Sequence, residues 1–305
     1  MQLYLPVAEM SVNIFVIMGL GGLVGVLSGM FGVGGGFLLT PLLIFYGVPP
    51  AVAVASQANQ IAGSSIAGAV GHAKQGGLDP KMGVILTLGG IAGAALGTWA
   101  FSVLQAIGQL DVTIAISYVI FLGSVGSLML VEGVAAMRAQ AGRKRKRKRT
   151  KKGKGLLRRL PFQVYFPRSK LVITALAPLC VGALVGILVA IMGVGGGFIM
   201  VPAMIYLLGM PTQVVIGTSL MQIIFVTAAV TVLHALSTQT VDAILALLLL
   251  VGAVVGTRLG IQLGRRLKAE QLRVLLALVV LSVGIKLAID LVRPPSALYV
   301  VEIVR

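Results

Sequence analysis

Charge is what this sequence has least of. Only 11% of its 305 residues are Asp, Glu, Lys or Arg, and eight of them are acidic. A chain so thin in charge, with 58% hydrophobic residues and a mean hydropathy of +1.04, is not an ordinary water-soluble domain. Cysteine occurs once, at Cys180, which excludes an intramolecular disulfide. The sequence holds two histidines and no zinc, phosphate-loop or nucleophile–base constellation, so neither enzyme chemistry nor a cofactor or metal is expected. What the chain does have is a series of apolar stretches of about 20 residues, the pattern of an all-α polytopic membrane protein. The first stretch lacks a cationic leader and a small-residue cleavage site and reads as retained.

The net charge of +17 is concentrated in one place. Between Arg138 and Lys170 stand 15 of the 25 basic residues and no acidic one. A basic tract between membrane spans reads as a cytoplasmic loop that sets orientation and meets anionic lipid headgroups. No aromatic or structured motif accompanies it, so nucleic acid is not an expected partner.

That tract divides the chain into a first repeat (1–138), a basic loop (139–169) and a second repeat (170–305). GVGGGF occurs at 32–37 and again at 193–198. SQANQ at 56–60 aligns with TSLMQ at 218–222, His72 with His234, and GAALGT at 93–98 with GAVVGT at 252–257. The apolar segments fall at 11–31, 36–48, 51–73, 81–105 and 112–137, then 170–192, 197–208, 212–236, 241–263 and 271–292. They read as eight full spans and two short return helices. With the basic loop inside, 74–81 falls inside while its counterpart 237–241 falls outside, and GRRLK at 264–268 falls inside. The expectation is therefore two inverted repeats of about five helical segments each. Each repeat opens with a glycine-broken hairpin, because the segment after GVGGGF is too short to cross the roughly 30 Å hydrocarbon core. Inversion would bring the two breaks together near the midplane.

A helix starting at a buried glycine turn offers N–H groups and a positive dipole end to an anion. Gly34, Gly35, Gly36, Gly195, Gly196 and Gly197 are thus candidate substrate-binding residues. Uncharged donors on the following helices join them: Ser56, Asn59 and Gln60 in the first repeat, Thr218, Ser219 and Gln222 in the second. Helix gluing by these residues is the competing explanation. His72 and His234 end matching helices, as interfacial structural residues or as a gate or proton relay. Asp79, Asp111 and Asp242 read as helix caps, Arg258 as a snorkelling side chain, Lys286 and Asp290 as an i,i+4 pair, and Cys180 as a small buried hydrophobe.

The paired glycine motif, the S-Q-x-N-Q stripe and the central loop between repeats resemble the TauE/SafE sulfite exporter family. The resemblance covers nearly the whole chain outside the basic loop. It implies a permease for small sulfur oxyanions or organosulfonates such as sulfite or sulfoacetate, in a bacterial inner membrane, with export as the expected direction. Uptake of thiosulfate or another organic anion, and a non-transporting membrane scaffold, are the alternatives; a homo-oligomer is compatible with either. Acidic residues are scarce in the spans, Glu132 and Asp290 being exceptions near helix ends. Efflux without a coupling proton follows as the expected energetics.

Overall fold

The computed structural model describes residues 2–31, 36–74, 77–141, 163–169, 171–264 and 269–292. Each repeat opens with a β-hairpin. Strands β1 (Gln2–Leu5) and β2 (Met10–Asn13) pair Gln2 with Asn13 and Leu5 with Met10. Strands β3 (Gln163–Phe166) and β4 (Leu171–Thr174) pair Gln163 with Thr174 and Phe166 with Leu171. Their sequences, QLYLP and QVYFP, are the same motif at 2–6 and 163–167. The helical segment expected from 11 therefore starts at Ile14, and the expected helix from 170 starts at Leu176. Strand β3 lies inside the stretch read as loop; positions 142–162 of that stretch fall outside the described residues.

Five helical segments follow each hairpin. In the first repeat these are α1 (Ile14–Phe31), α2 (Gly36–Phe45), α3 (Pro50–Lys74), α4 (Pro80–Ala106) and α5 (Leu110–Ala141). In the second they are α6 (Leu176–Met192), α7 (Gly197–Pro202) continued by a π-helical turn (Ala203–Leu207), α8 (Thr212–Ser237), α9 (Ala243–Gly264) and α10 (Ala269–Val292). Among the described residues, α4, α5, α8, α9 and α10 each contain a stretch long and apolar enough to cross a membrane. Helices α1 and α6 have 18 and 17 residues, fewer than the full spans expected of them. The all-α polytopic architecture stands. The short return helices carry matched prolines, Pro41 and Pro202, and each is followed by a glycine with positive φ, Gly47 at 99° and Gly209 at 68°. Only glycine adopts that conformation freely, and the prolines beyond it prevent the helix from continuing.

The repeats are interleaved. Helix α1 packs along α9 of the other repeat, and α6 packs along α4. Both seams are lined with glycine. A methyl group added at Gly25 would lie 2.5 Å from the Ala253 carbonyl oxygen, and one at Gly97 would lie 2.8 Å from Ala190 Cβ. Gly93 against Ala183 and Gly256 against Gly22 are tighter still. In both seams the contacts advance together along the two chains, Gly21 to Leu249 and then Gly25 to Ala253, so the partners run parallel. Helices α5 and α10 run antiparallel: Gly126 meets Leu281 while Gly133 meets Val274. Small residues let backbones approach, which in lipid supplies the packing that water would otherwise drive.

Gly93→Val should therefore push α4 off α6 and destabilise the fold by roughly 1–3 kcal/mol, the usual cost of overpacking. Gly123 on α5, with nothing within 4 Å of an added methyl, is the control. Thermal unfolding in detergent should show a clear drop for Gly93→Val and little change for Gly123→Val.

Candidate functional site

The described ends of the two glycine motifs meet. Phe37 and Phe198, the matched last letters of the motif, stack with ring centroids 4.5 Å apart and planes 20° from parallel. Gly36 faces the Gly193 carbonyl, whose oxygen would lie 3.1 Å from an added Cβ. Gly34 and Gly35 lie outside the described residues. In the second break Gly193, Gly195 and Gly196 adopt φ values of 68°, 74° and 64°. A side chain would strain all three. The Gly197 N–H donates to the Gly195 carbonyl, and those of Ile199 and Met200 donate to the Gly196 carbonyl. These donors are engaged within the turn itself.

Two isoleucines from different repeats line this turn. A Cβ at Gly195 would meet Ile61 Cγ2 at 3.0 Å, and one at Gly196 would meet Ile223 Cγ1 at 3.9 Å. The residues immediately before them are Gln60 and Gln222. Both glutamines are fully buried, and among the described residues neither amide oxygen nor amide nitrogen of either has a hydrogen-bond partner. An unmet buried polar group costs about 1–3 kcal/mol, so four such atoms at matched positions constitute a large unmet demand. Gly90 on α4 provides room for one of them, since a Cβ there would lie 2.9 Å from Gln222 Nε2. Thr87, one turn earlier on α4, is also buried, and its hydroxyl has no partner among the described residues.

Gln57 was not singled out from the sequence. Its Nε2 donates to the Gly193 carbonyl, while its Oε1 has no partner among the described residues. Tyr118 on α5, fully buried, donates its hydroxyl to the Met192 carbonyl at 2.5 Å. Together they hold the C-terminal end of α6 with groups from the first repeat. The Gln in S-Q-A-N-Q was visible, but its long-range partner was not. Asn59 is half-buried and Ser219 donates to the Ile216 carbonyl at 2.9 Å.

Ser56 and Thr218 are engaged elsewhere. Ser56 Oγ accepts from the Asp242 N–H at 2.9 Å, and Thr218 Oγ1 accepts from the Asp79 N–H at 3.0 Å while donating to the Val214 carbonyl at 2.6 Å. Asp79 caps α4 through the Met82 N–H, and Asp242 caps α9 through the N–H groups of Ile244 and Leu245. His234 is buried, with Nε2 3.0 Å from the Ala190 carbonyl oxygen and Nδ1 3.1 Å from Thr238 Oγ1; the side chain of His72 lies outside the described residues. Cys180, expected to be buried, is exposed on α6. Lys286 places its Nζ 3.9 Å from the Phe45 ring centroid instead of pairing with Asp290.

Known proteins resemble this chain along most of its length. The sulfite exporter TauE/SafE family matches residues 17–287. A probable membrane transporter protein of Bacillus subtilis (strain 168), YjnA, is 30% identical over 281 residues, covering 91% of this chain and 100% of its own length. A probable membrane transporter protein of Xylella fastidiosa (strain 9a5c) is 29% identical over 279 residues, covering 90% of this chain and 94% of its own. No solved structure matches. The chain belongs to the TauE/SafE sulfite exporter family and is a multi-pass membrane transporter, not an enzyme.

Proposed function

We propose that this transporter is an inverted-repeat permease that exports small sulfur-containing anions, sulfite, sulfoacetate or related organosulfonates, through the meeting point of its two glycine turns. The observation that carries the reading is the pair of fully buried glutamines, Gln60 and Gln222, whose amides find no hydrogen-bond partner among the described residues. Amide N–H groups donate to a sulfonate or sulfite oxygen without a fixed charge that would hold the anion too tightly to release. In this reading the glycine turns, Gly34–Gly36 with Gly195–Gly197, let backbone approach the anion closely, and Asn59 and Ser219 add side-chain donors. Ser56 and Thr218 join at the outer edges of the site when their aspartate N–H groups let go. His234, with both ring nitrogens engaged, acts as a strut in this reading and not as a proton relay.

Inversion is supported by helix direction. Helices α5 and α10 hold the same place in their repeats and run antiparallel. A two-fold axis along the membrane normal would make them parallel; an axis in the membrane plane makes them antiparallel. Two half-sites approached from opposite faces are what alternating access requires.

Replacing the glutamines separates function from packing. Gln60→Met and Gln222→Met remove an unmet polar group and keep the shape, so each should leave thermal stability unchanged or raise it by about 1 kcal/mol. In proteoliposomes each should lower sulfite or sulfoacetate transport by at least about tenfold, equivalent to losing one charge-assisted hydrogen bond. Normal transport by both stable variants would contradict the site.

The energetics give a second test. Moving one charge through 100 mV is worth about 2.3 kcal/mol, so an inside-negative potential drives anions outward without a coupling proton. A valinomycin-imposed potential, positive on the destination side, should accelerate transport at equal pH. Transport indifferent to potential and dependent on a pH gradient would overturn proton-independent efflux.

A further inference from the structure

Each β-hairpin donates to a carboxylate oxygen of the opposite repeat. Asp79, at the start of α4 in the first repeat, accepts from the second repeat's hairpin: its Oδ2 takes the Ser169 N–H at 3.0 Å and the Ser169 hydroxyl at 2.6 Å. Asp242, at the start of α9 in the second repeat, accepts from the first repeat's hairpin: its Oδ2 takes the Val7 N–H at 3.1 Å. Both aspartates are fully buried, and Ser169 is 2% exposed. Each carboxylate's other oxygen caps its own helix, and each backbone N–H is bound by a hydroxyl, Thr218 or Ser56. Those hydroxyls stand four residues, about one helical turn, before Gln222 and Gln60. Each hairpin also presents a matched tyrosine outward, Tyr4 at 58% and Tyr165 at 57% exposure, as aromatic residues at a membrane–water interface do.

Resting on the inverted-repeat reading above, we infer that Asp79 and Asp242 are positioning residues forming two alternating latches, each sealing one end of the transport path by fastening the opposite repeat's hairpin. A buried carboxylate that loses its hairpin donors must take water instead. Release of a hairpin is therefore inseparable from wetting that end of the site. The same aspartate's N–H holds the hydroxyl one turn from the central glutamine, so one residue joins each latch to the site. Both latches are fastened in this structure. Transport requires that one open while the other stays closed.

The test is amide hydrogen exchange on the full-length protein in nanodiscs, without substrate, comparing wild type with Asp79→Asn and Asp242→Asn. Asp79→Asn should raise exchange in the 163–174 hairpin about tenfold while slowing or leaving unchanged that of the 2–13 hairpin, and Asp242→Asn should do the reverse. In proteoliposomes the two variants should shift the apparent KM measured from opposite sides of the membrane. A purely structural role would loosen a hairpin without that opposite sidedness. Ser169→Ala removes the 2.6 Å bond and keeps the carboxylate, so it should show the same hairpin-specific effect more weakly even where Asp79→Asn does not accumulate. Loosening of both hairpins together, or no change at 163–174 in any variant, overturns the latches. Because exchange is read without substrate, an error in the choice of anion would leave the exchange result intact and appear only in transport.

Discussion

Glycine carries the contact on which the rest of the structure depends. Along α1–α9 and α4–α6, backbone of one repeat lies directly against backbone of the other, at distances a single methyl group would forbid. In lipid there is no hydrophobic gain from bringing helices together, so close approach and dispersion must supply the packing. Here that approach joins helices of different repeats. Neither half has a separate core, and the duplicated sequence can reach its minimum only as an intertwined pair. The exchange also accounts for the meeting of the two return helices. With α6 fixed against α4 and α1 against α9, the short return helices are drawn inward until Phe37 and Phe198 stack.

Around that stack the chain accepts a cost. Buried amides without partners are expensive in any protein, and more so where water is scarce. Gln60 and Gln222 incur it at matched positions, beside isoleucines that line the same turn. An uncharged cradle of this kind suits a substrate that brings its own charge and must leave again. The aspartates sit at the far ends of the same helical pairs, where carboxylates can be satisfied by backbone and hydroxyl donors.

Much of this was legible in the sequence because it follows local rules. Apolar runs indicated a polytopic membrane protein, the repeated GVGGGF indicated duplication, and Asp before Pro80 or Ala243 indicated caps. The hairpins were not legible: four-residue strands carry little periodicity, and QLYLP precedes the first apolar span while its repeat QVYFP lies in the stretch read as loop. The second partners of Asp79 and Asp242 lie 90 and 235 residues away in the chain, beyond any capping rule. GAALGT and GAVVGT were visible as repeats, but their use as parallel seams depends on which helices are exchanged. Cys180 was misread because a small residue in an apolar run looks buried whether it faces protein or lipid.

The central claim is that the two repeats face opposite ways. Single cysteines at Gln75 and Thr238, in a background lacking Cys180, place a label on corresponding loops of the two repeats. An impermeant thiol reagent should modify Thr238→Cys only from outside the cell and Gln75→Cys only from the cytoplasmic side. Labelling of both from the same side would contradict the inverted arrangement.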